Sequence, residues 1–230
     1  ISLLEIKRMV ADIRWKKEMM SFNKLEEFGR IKLSKNFLMR EFLYSEISQI
    51  YGVPNIPSDP ELAIEAGKNL CEKVLEPIQE ELGRISIRSG YRSCDVNETG
   101  NKNNHKCAEN EKNYAGHIWD QRHKDGYIGA TACIVVTSFL PYYEKTGDWT
   151  ALAWWIHDHI SDYASMEFFP KLAAFNITWN DAPNYKKWIS SHFVNPHTGK
   201  KGYLTKDGMD NFSGSHEEFY RLYLKELSLQ

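Results

Sequence analysis

The sequence predicts an α+β fold, and three observations carry the prediction. Apolar residues recur every four positions from Leu62 to Leu82, the signature of a long amphipathic helix. Two short runs, ISI at 85–87 and GATACIVV at 129–136, have the length and β-branched content of strands. The order of elements is helix, strand, loop, strand, helix, hairpin, which segregates the two kinds of structure instead of alternating them as a doubly wound sheet does.

The elements follow in order. Residues 1–30 read as an amphipathic docking helix, with Leu3, Ile6, Val10, Ile13 and Met20 on one stripe and acidic residues interrupting its basic face. NFLMREFLYSEI comes next, and the turn-rich GVPNIPSDP closes that unit. Asp59 caps a helix whose first residue is Pro60; Pro77 is placed to kink it and Gly83 to end it. Ile85 and Ile87 alternate with Ser86 and Arg88 until Gly90 breaks the strand. Residues 93–113 are polar and aperiodic, and read as a long loop that is either functional or disordered. YAGHIWD and the polar turn QRHKDG lead into GATACIVV, a buried strand. Gly147 and Asp148 cap DWTALAWWIHDHI, apolar on most faces and therefore central. MEFFPKLAAFNITW reads as two strands about Pro170 and Lys171. The last fifty residues are turn-rich, with a helix near 216–227.

Composition bounds the function. In 230 residues, 42% are hydrophobic, and 29 basic side chains stand against 31 acidic ones, an ordinary globular balance that excludes disorder and fibrous classes. Near-neutral charge argues against nucleic acid as a partner, since phosphate contacts need a basic face. No run approaches the roughly 20 apolar residues of a transmembrane helix. Four cysteines are too few for a disulfide framework, so reduced thiols are expected, with Cys71 in the core. Cys94 and Cys107 can pair in an oxidising compartment, or join His105 in part of a zinc knuckle. The sequence begins at Ile1 without Met, which leaves a soluble protein either cytoplasmic or exported.

Polar candidates gather near the strand ends. Arg92, in the turn after a strand, is either a surface ion-pair partner or a clamp for a carboxylate, the role that suits a planar guanidinium. His117 and Asp120, three apart in a loop, can reach one metal or one hydrogen-bonded pair. His157 and His159, two apart on a helix, face different ways, and one of them complements the helix C-terminus. Cys133 reads as a small core residue and Glu167 as an edge charge.

The succession of NFLMREF, a helix ending NLCEKVLEPIQEELG, ISIRSGYRS and a His loop feeding a Gly-x-x-Ala strand resembles the zinc D-alanyl-D-alanine carboxypeptidase family of metallopeptidases. That family shares the fold of the lysostaphin, D-Ala-D-Ala carboxypeptidase and Sonic hedgehog superfamily. The resemblance covers residues 33–179, with SGYRS at 89–93 and the downstream Asn97 its most specific part. GHIWD, GATAC, ALAWWIHDH and AAFNI are similar to words of a divergent bacterial and phage subgroup. The resemblance implies a small antiparallel sheet with flanking helices, and three segments: an N-terminal helix at 1–32, a peptidase-like domain at 33–180 and a C-terminal extension at 181–230. It implies zinc as cofactor, a peptide or peptidoglycan fragment as partner, and hydrolysis of a peptide or amide bond.

Carried over by position, Arg92 is the substrate clamp, joined by Arg88 and Asn97. His117 is the first metal ligand, Cys133 stands where the family has Asp, Asn176 where it has the second His, and Glu167 is the match for the general base. An insertion separates His117 from Gly129. A carboxamide is a poor zinc ligand, whereas catalytic zinc wants three firm ligands and an open water position. Three functions are therefore consistent with the sequence. The metal site has migrated to Asp120, His123, His157 or His159 and the chain is a zinc hydrolase; or the metal is gone and the pocket binds a peptide, cell-wall fragment or partner protein through Arg92 and nearby aromatics; or Cys133, His117 and Asn176 act as nucleophile, base and orienter.

Overall fold

The computed structural model describes residues 10, 14, 17, 21–169 and 171–229. Most of the expected N-terminal helix, and Pro170 of the expected hairpin, lie outside these residues. Contacts divide the chain into two compact units, Ile1–Asn69 with Ser89–Thr131 and Leu70–Arg88 with Ala132–Gln230.

The first unit begins with α1 (Phe22–Gly29), capped by the Ser21 hydroxyl, then α2 (Met39–Leu43) and α3 (Glu46–Tyr51), capped by Ser45 and ended by left-handed Gly52. Helix α4 (Pro60–Leu70) starts where Asp59 accepts the Leu62 N–H. Its Gly67 lies under Trp119, where an added Cβ would fall 2.8 Å from the indole. Phe42 and Tyr91 pack on the same indole, with ring centroids 5.3 and 6.2 Å away, forming the aromatic core of this unit.

The long helix is interrupted one turn before the expected proline, and Pro77 itself lies inside the helix that continues. A π turn, Cys71–Leu75, follows α4, and α5 (Glu76–Leu82) carries the chain on to Gly83 at φ 85°. The Glu76 N–H reaches back to the Cys71 carbonyl, five residues away, immediately before Pro77. Proline has no N–H to continue the ladder, and the helix absorbs the loss by widening one turn.

Next come β1 (Ile85–Ser89), α6 (Cys94–Lys102), α7 (Asn110–Asn113), β2 (Gly129–Val136), α8 (Leu140–Thr146), α9 (Thr150–His159), β3 (Ser165–Phe168), β4 (Phe175–Asn180), β5 (Trp188–Ser191), β6 (Gly202–Lys206) and α10 (Glu217–Leu227). The strands form one sheet in the order β1-β2-β4-β3-β5-β6. β3 and β4 are antiparallel, with Glu167 opposite Asn176; β3 and β5 are parallel, and β5 and β6 antiparallel. α+β therefore describes the chain, but the sheet is a mixed one of six strands, not the small antiparallel sheet expected. Two of its strands come from the last fifty residues, where the sequence showed only turns and a helix. β2 is buried at all eight positions, as its apolar run requires.

Around the sheet, Phe168 stacks on Phe175 with centroids 4.5 Å apart and meets Trp149 at 5.0 Å. Asp148 caps α9 by accepting the Thr150 N–H at 2.9 Å. Among the described residues no helix is long and apolar enough to cross a membrane.

Candidate functional site

The turn after β1 is assembled from both sides. Gly90 lies so close to Phe42 that a Cβ would meet its side chain at 2.8 Å and its Cα at 3.1 Å, which only glycine avoids. Buried Asn55 holds the turn: its carbonyl accepts the Ser93 N–H at 2.7 Å, and its amide donates to the Tyr91 and Leu43 carbonyls. His117, also buried, braces the same turn, with Nδ1 2.8 Å from the Gly90 oxygen and its own carbonyl accepting the Arg92 N–H at 2.8 Å.

Ser93 then caps α6 through the Val96 N–H. The expected loop at 93–113 is therefore partly helical. Asn97, fully buried, supplies the reason: its amide donates to the Ala108 carbonyl at 2.9 Å and the Asn110 side chain at 2.8 Å, closing the polar segment onto the helix. Its carbonyl oxygen accepts Arg92 Nη1 at 3.2 Å, and Cys107 Sγ lies 3.1 Å from the same nitrogen. Asn97 thus orients the guanidinium. Half-buried Arg92 borders a cavity of about 260 Å³ with Ser89, Tyr44, Glu46, His105 and Cys107.

Asp120 also sits in this first unit, 2% exposed, its Oδ2 accepting the Ser58 N–H at 2.7 Å. Burial pushes its carboxyl from 3.8 up to about 6, against the lowering by the Ser58 N–H and the adjacent Tyr91 hydroxyl. Neither His117 nor Asp120 borders the Arg92 cavity. His123 stacks on Tyr127 in the 121–126 turn and pairs with Asp125 at 3.1 Å.

The other sequence candidates fall in the second unit. Arg88 is exposed on β1. Cys133 packs among Val135, Ala174, Leu140 and Phe169, the apolar surroundings of a core thiol. Glu167 and Asn176 are cross-strand neighbours, and Glu167 pairs with His192 at 3.2 Å. The donor set at the family-matched positions, an imidazole, a thiol in an apolar cluster and a carboxamide, does not suit zinc.

A different group does come together. Among the described residues, His157, Asp158 and His216 each offer a ligand atom within 4.8 Å of the other two, and this group can hold a metal ion. Asp158 Oδ1 lies 2.6 Å from His216 Nδ1, while its Oδ2 accepts the His216 N–H at 2.7 Å and the Tyr220 hydroxyl at 3.1 Å. His216 lies flat on Trp154, ring centroids 3.8 Å apart. His157 Nδ1 meets the Tyr163 hydroxyl and Nε2 the Phe212 carbonyl at 2.7 Å. Burial, chiefly, holds the His157 imidazole below its usual range and lifts the Tyr163 hydroxyl; burial and neighbouring Asp158 push Tyr220 up to about 12. His159 takes no part: exposed, it stacks on Trp155 and faces that residue's carbonyl.

Sequence reasoning named His157 but not Asp158 or His216, which stand 58 positions apart. The only signal was the HDH at the end of an apolar helix. Asn55 was missed as well, because a buried asparagine in a turn-rich stretch looks like any other turn residue. No family model matches this chain, and comparison with curated proteins and with solved structures finds no match.

Proposed function

We propose that the chain is a divergent relative of the D-Ala-D-Ala carboxypeptidase-like metallopeptidases that works as a binding module, taking the carboxylate end of a peptide or peptidoglycan fragment at Arg92. The single observation that supports this reading is the seating of Arg92. A turn fixed by Gly90, Asn55 and His117 presents its guanidinium at a cavity wall, and buried Asn97 sets its orientation. A planar fork held in advance loses little freedom when a carboxylate arrives, and that is how a modest cavity gains affinity.

The alternative, a zinc hydrolase of peptide or amide bonds, needs a metal-bound water beside the clamp. The donor set of His117, Cys133 and Asn176 does not favour it.

The test is calorimetric titration of the full chain with a peptide ending in D-alanyl-D-alanine and with the same peptide amidated at its C-terminus. The free carboxylate should bind and the amide should not. Arg92→Gln should weaken the carboxylate by about 10- to 150-fold, the worth of a charge-assisted hydrogen bond of about 1.5–3 kcal/mol, and Arg92→Lys should lose part of that. Equal binding of acid and amide, or indifference to Arg92→Gln, overturns the reading. Release of free alanine during incubation would favour the hydrolase instead.

A further inference from the structure

We propose that His157, Asp158 and His216 form a binding site for one divalent transition-metal ion of the zinc class, with an open coordination position facing a cavity in the second unit. This site is independent of the Arg92 reading, since none of its residues belongs to the unit that carries Arg92.

Three features of the group support it. First, the donors are of the right kind: two imidazoles and one carboxylate are the ligand types that zinc and its neighbours accept, and one atom of each already lies within 4.8 Å of the others. Second, the outer contacts are in place. A metal-bound imidazole commonly donates its other ring N–H to a backbone carbonyl, which fixes the tautomer and aims the ring. Here His216 Nε2 lies 3.0 Å from the Asn211 oxygen and His157 Nε2 lies 2.7 Å from the Phe212 oxygen, so two successive carbonyls orient the two rings and leave Nδ1 of each for the ion, which on His157 displaces the Tyr163 hydroxyl from that nitrogen. Third, the carboxylate divides its work. Asp158 Oδ2 is engaged by the His216 N–H and the Tyr220 hydroxyl, which hold the start of α10 against α9, and only Oδ1 faces His216 Nδ1. An ion held between Oδ1 and Nδ1 replaces the proton that Nδ1 shares with Oδ1 and leaves the helix cap intact. Uptake of one ion therefore releases that proton.

The placement gives the open position. His216 is buried, whereas His157 and Asp158 line a cavity of about 440 Å³ with Tyr185, Lys187 and Asp207. An ion on three protein ligands at that wall keeps a coordination position for water or an oxygen-bearing ligand entering the cavity. Lys187 and Asp207 on the same wall place one basic and one acidic side chain beside the ion.

The test uses the full chain, stripped with a chelator and titrated with Zn²⁺ by calorimetry and with Co²⁺ by visible absorption. One equivalent should bind, with the absorption of a four-coordinate nitrogen and oxygen site. Asp158→Asn and His157→Gln should each lower affinity by about 100-fold or more. His216→Ala is avoided because it also removes the ring stacked on Trp154. Should either variant fail to fold, the wild-type imidazole resonances decide. Zn²⁺ shifts confined to His157 and His216 uphold the site, and shifts only at other histidines overturn it. It is equally overturned by no saturable binding, or by one equivalent that persists unweakened in both variants.

Discussion

Replacing Asp120 by Asn should change the way stability depends on pH, and the size of the effect follows from the burial of one carboxyl. Asp120 is 2% exposed, and burial lifts it from 3.8 to about 6 although the Ser58 N–H favours its charge. Between those values the native state holds a proton that the unfolded chain has already lost, so stability falls as pH rises through the window and is flat above it. About two units at about 1.4 kcal/mol each give about 3 kcal/mol. An Asn oxygen can still accept the Ser58 N–H but carries no charge to desolvate, so the variant escapes the loss. Urea unfolding of both proteins at pH values from about 4 to 7 measures this as a difference. The variant should match the wild type or fall slightly below it at the acid end, and exceed it by about 2 kcal/mol at pH 7, after about 1 kcal/mol for the weaker hydrogen bond. His157 works the other way, because burial lowers its imidazole and acid costs it stability, but it is common to both proteins and cancels. A difference that stays constant to about 0.5 kcal/mol across the range would refute the argument.

Three further outcomes are expected. Gly100→Ala puts a Cβ 2.6 Å from both Cys107 Sγ and Ile47 Cδ1, so thermal unfolding should show a loss of about 1–3 kcal/mol, and the displaced Cys107 should weaken ligand binding at Arg92. In the β3–β4 turn, Leu172 and Ala173 have φ of 56° and 48°, the left-handed region that asparagine and glycine occupy at least cost. The pair Leu172→Asn and Ala173→Gly should therefore raise the urea midpoint, by about 1 kcal/mol in stability, and a lowered midpoint would count against strain there. Alkylation of the native protein, followed by mass spectrometry, should mark the partly exposed Cys94 and Cys107 and spare Cys71 and Cys133 until unfolding. Rapid modification of Cys133 would revive the thiol-nucleophile reading.

What the sequence makes legible is what a local period encodes. The 60–82 helix, with its end at Gly83, declares itself in a stripe of apolar residues and one conformational rule, while its irregularity falls at the 71–75 π turn and not at Pro77 itself. GATACIVV does the same as a strand covered on both faces, and the alternation in FNITWN marks β4. The 93–113 segment hides its helix because the inward positions of α6 are Val96, Asn97 and Gly100. A buried asparagine satisfied by Ala108, Asn110 and Arg92 does the work of an apolar residue without looking like one. β5 and β6 are four and five residues long, too short for an alternation to stand out among Lys, Ser and Gly. The parallel pairing of β3 with β5, which makes the sheet mixed, is a long-range choice with no local cue.

The two candidate sites divide along the same line. Arg92 is legible because a strand, a Gly-containing turn and a helix cap are contiguous, so the sequence that builds the turn also carries the functional side chain. The His157, Asp158 and His216 group is built by tertiary packing. Asp158 on α9 caps α10 by taking the His216 N–H, and that single contact brings an imidazole 58 positions away to its carboxylate. The cap needs only Oδ2; Oδ1 and the two imidazoles, each turned by a carbonyl at 211 or 212, go beyond what capping requires. A proton and a metal ion compete for that surplus, so metal affinity at this group should rise with pH while the cap persists throughout.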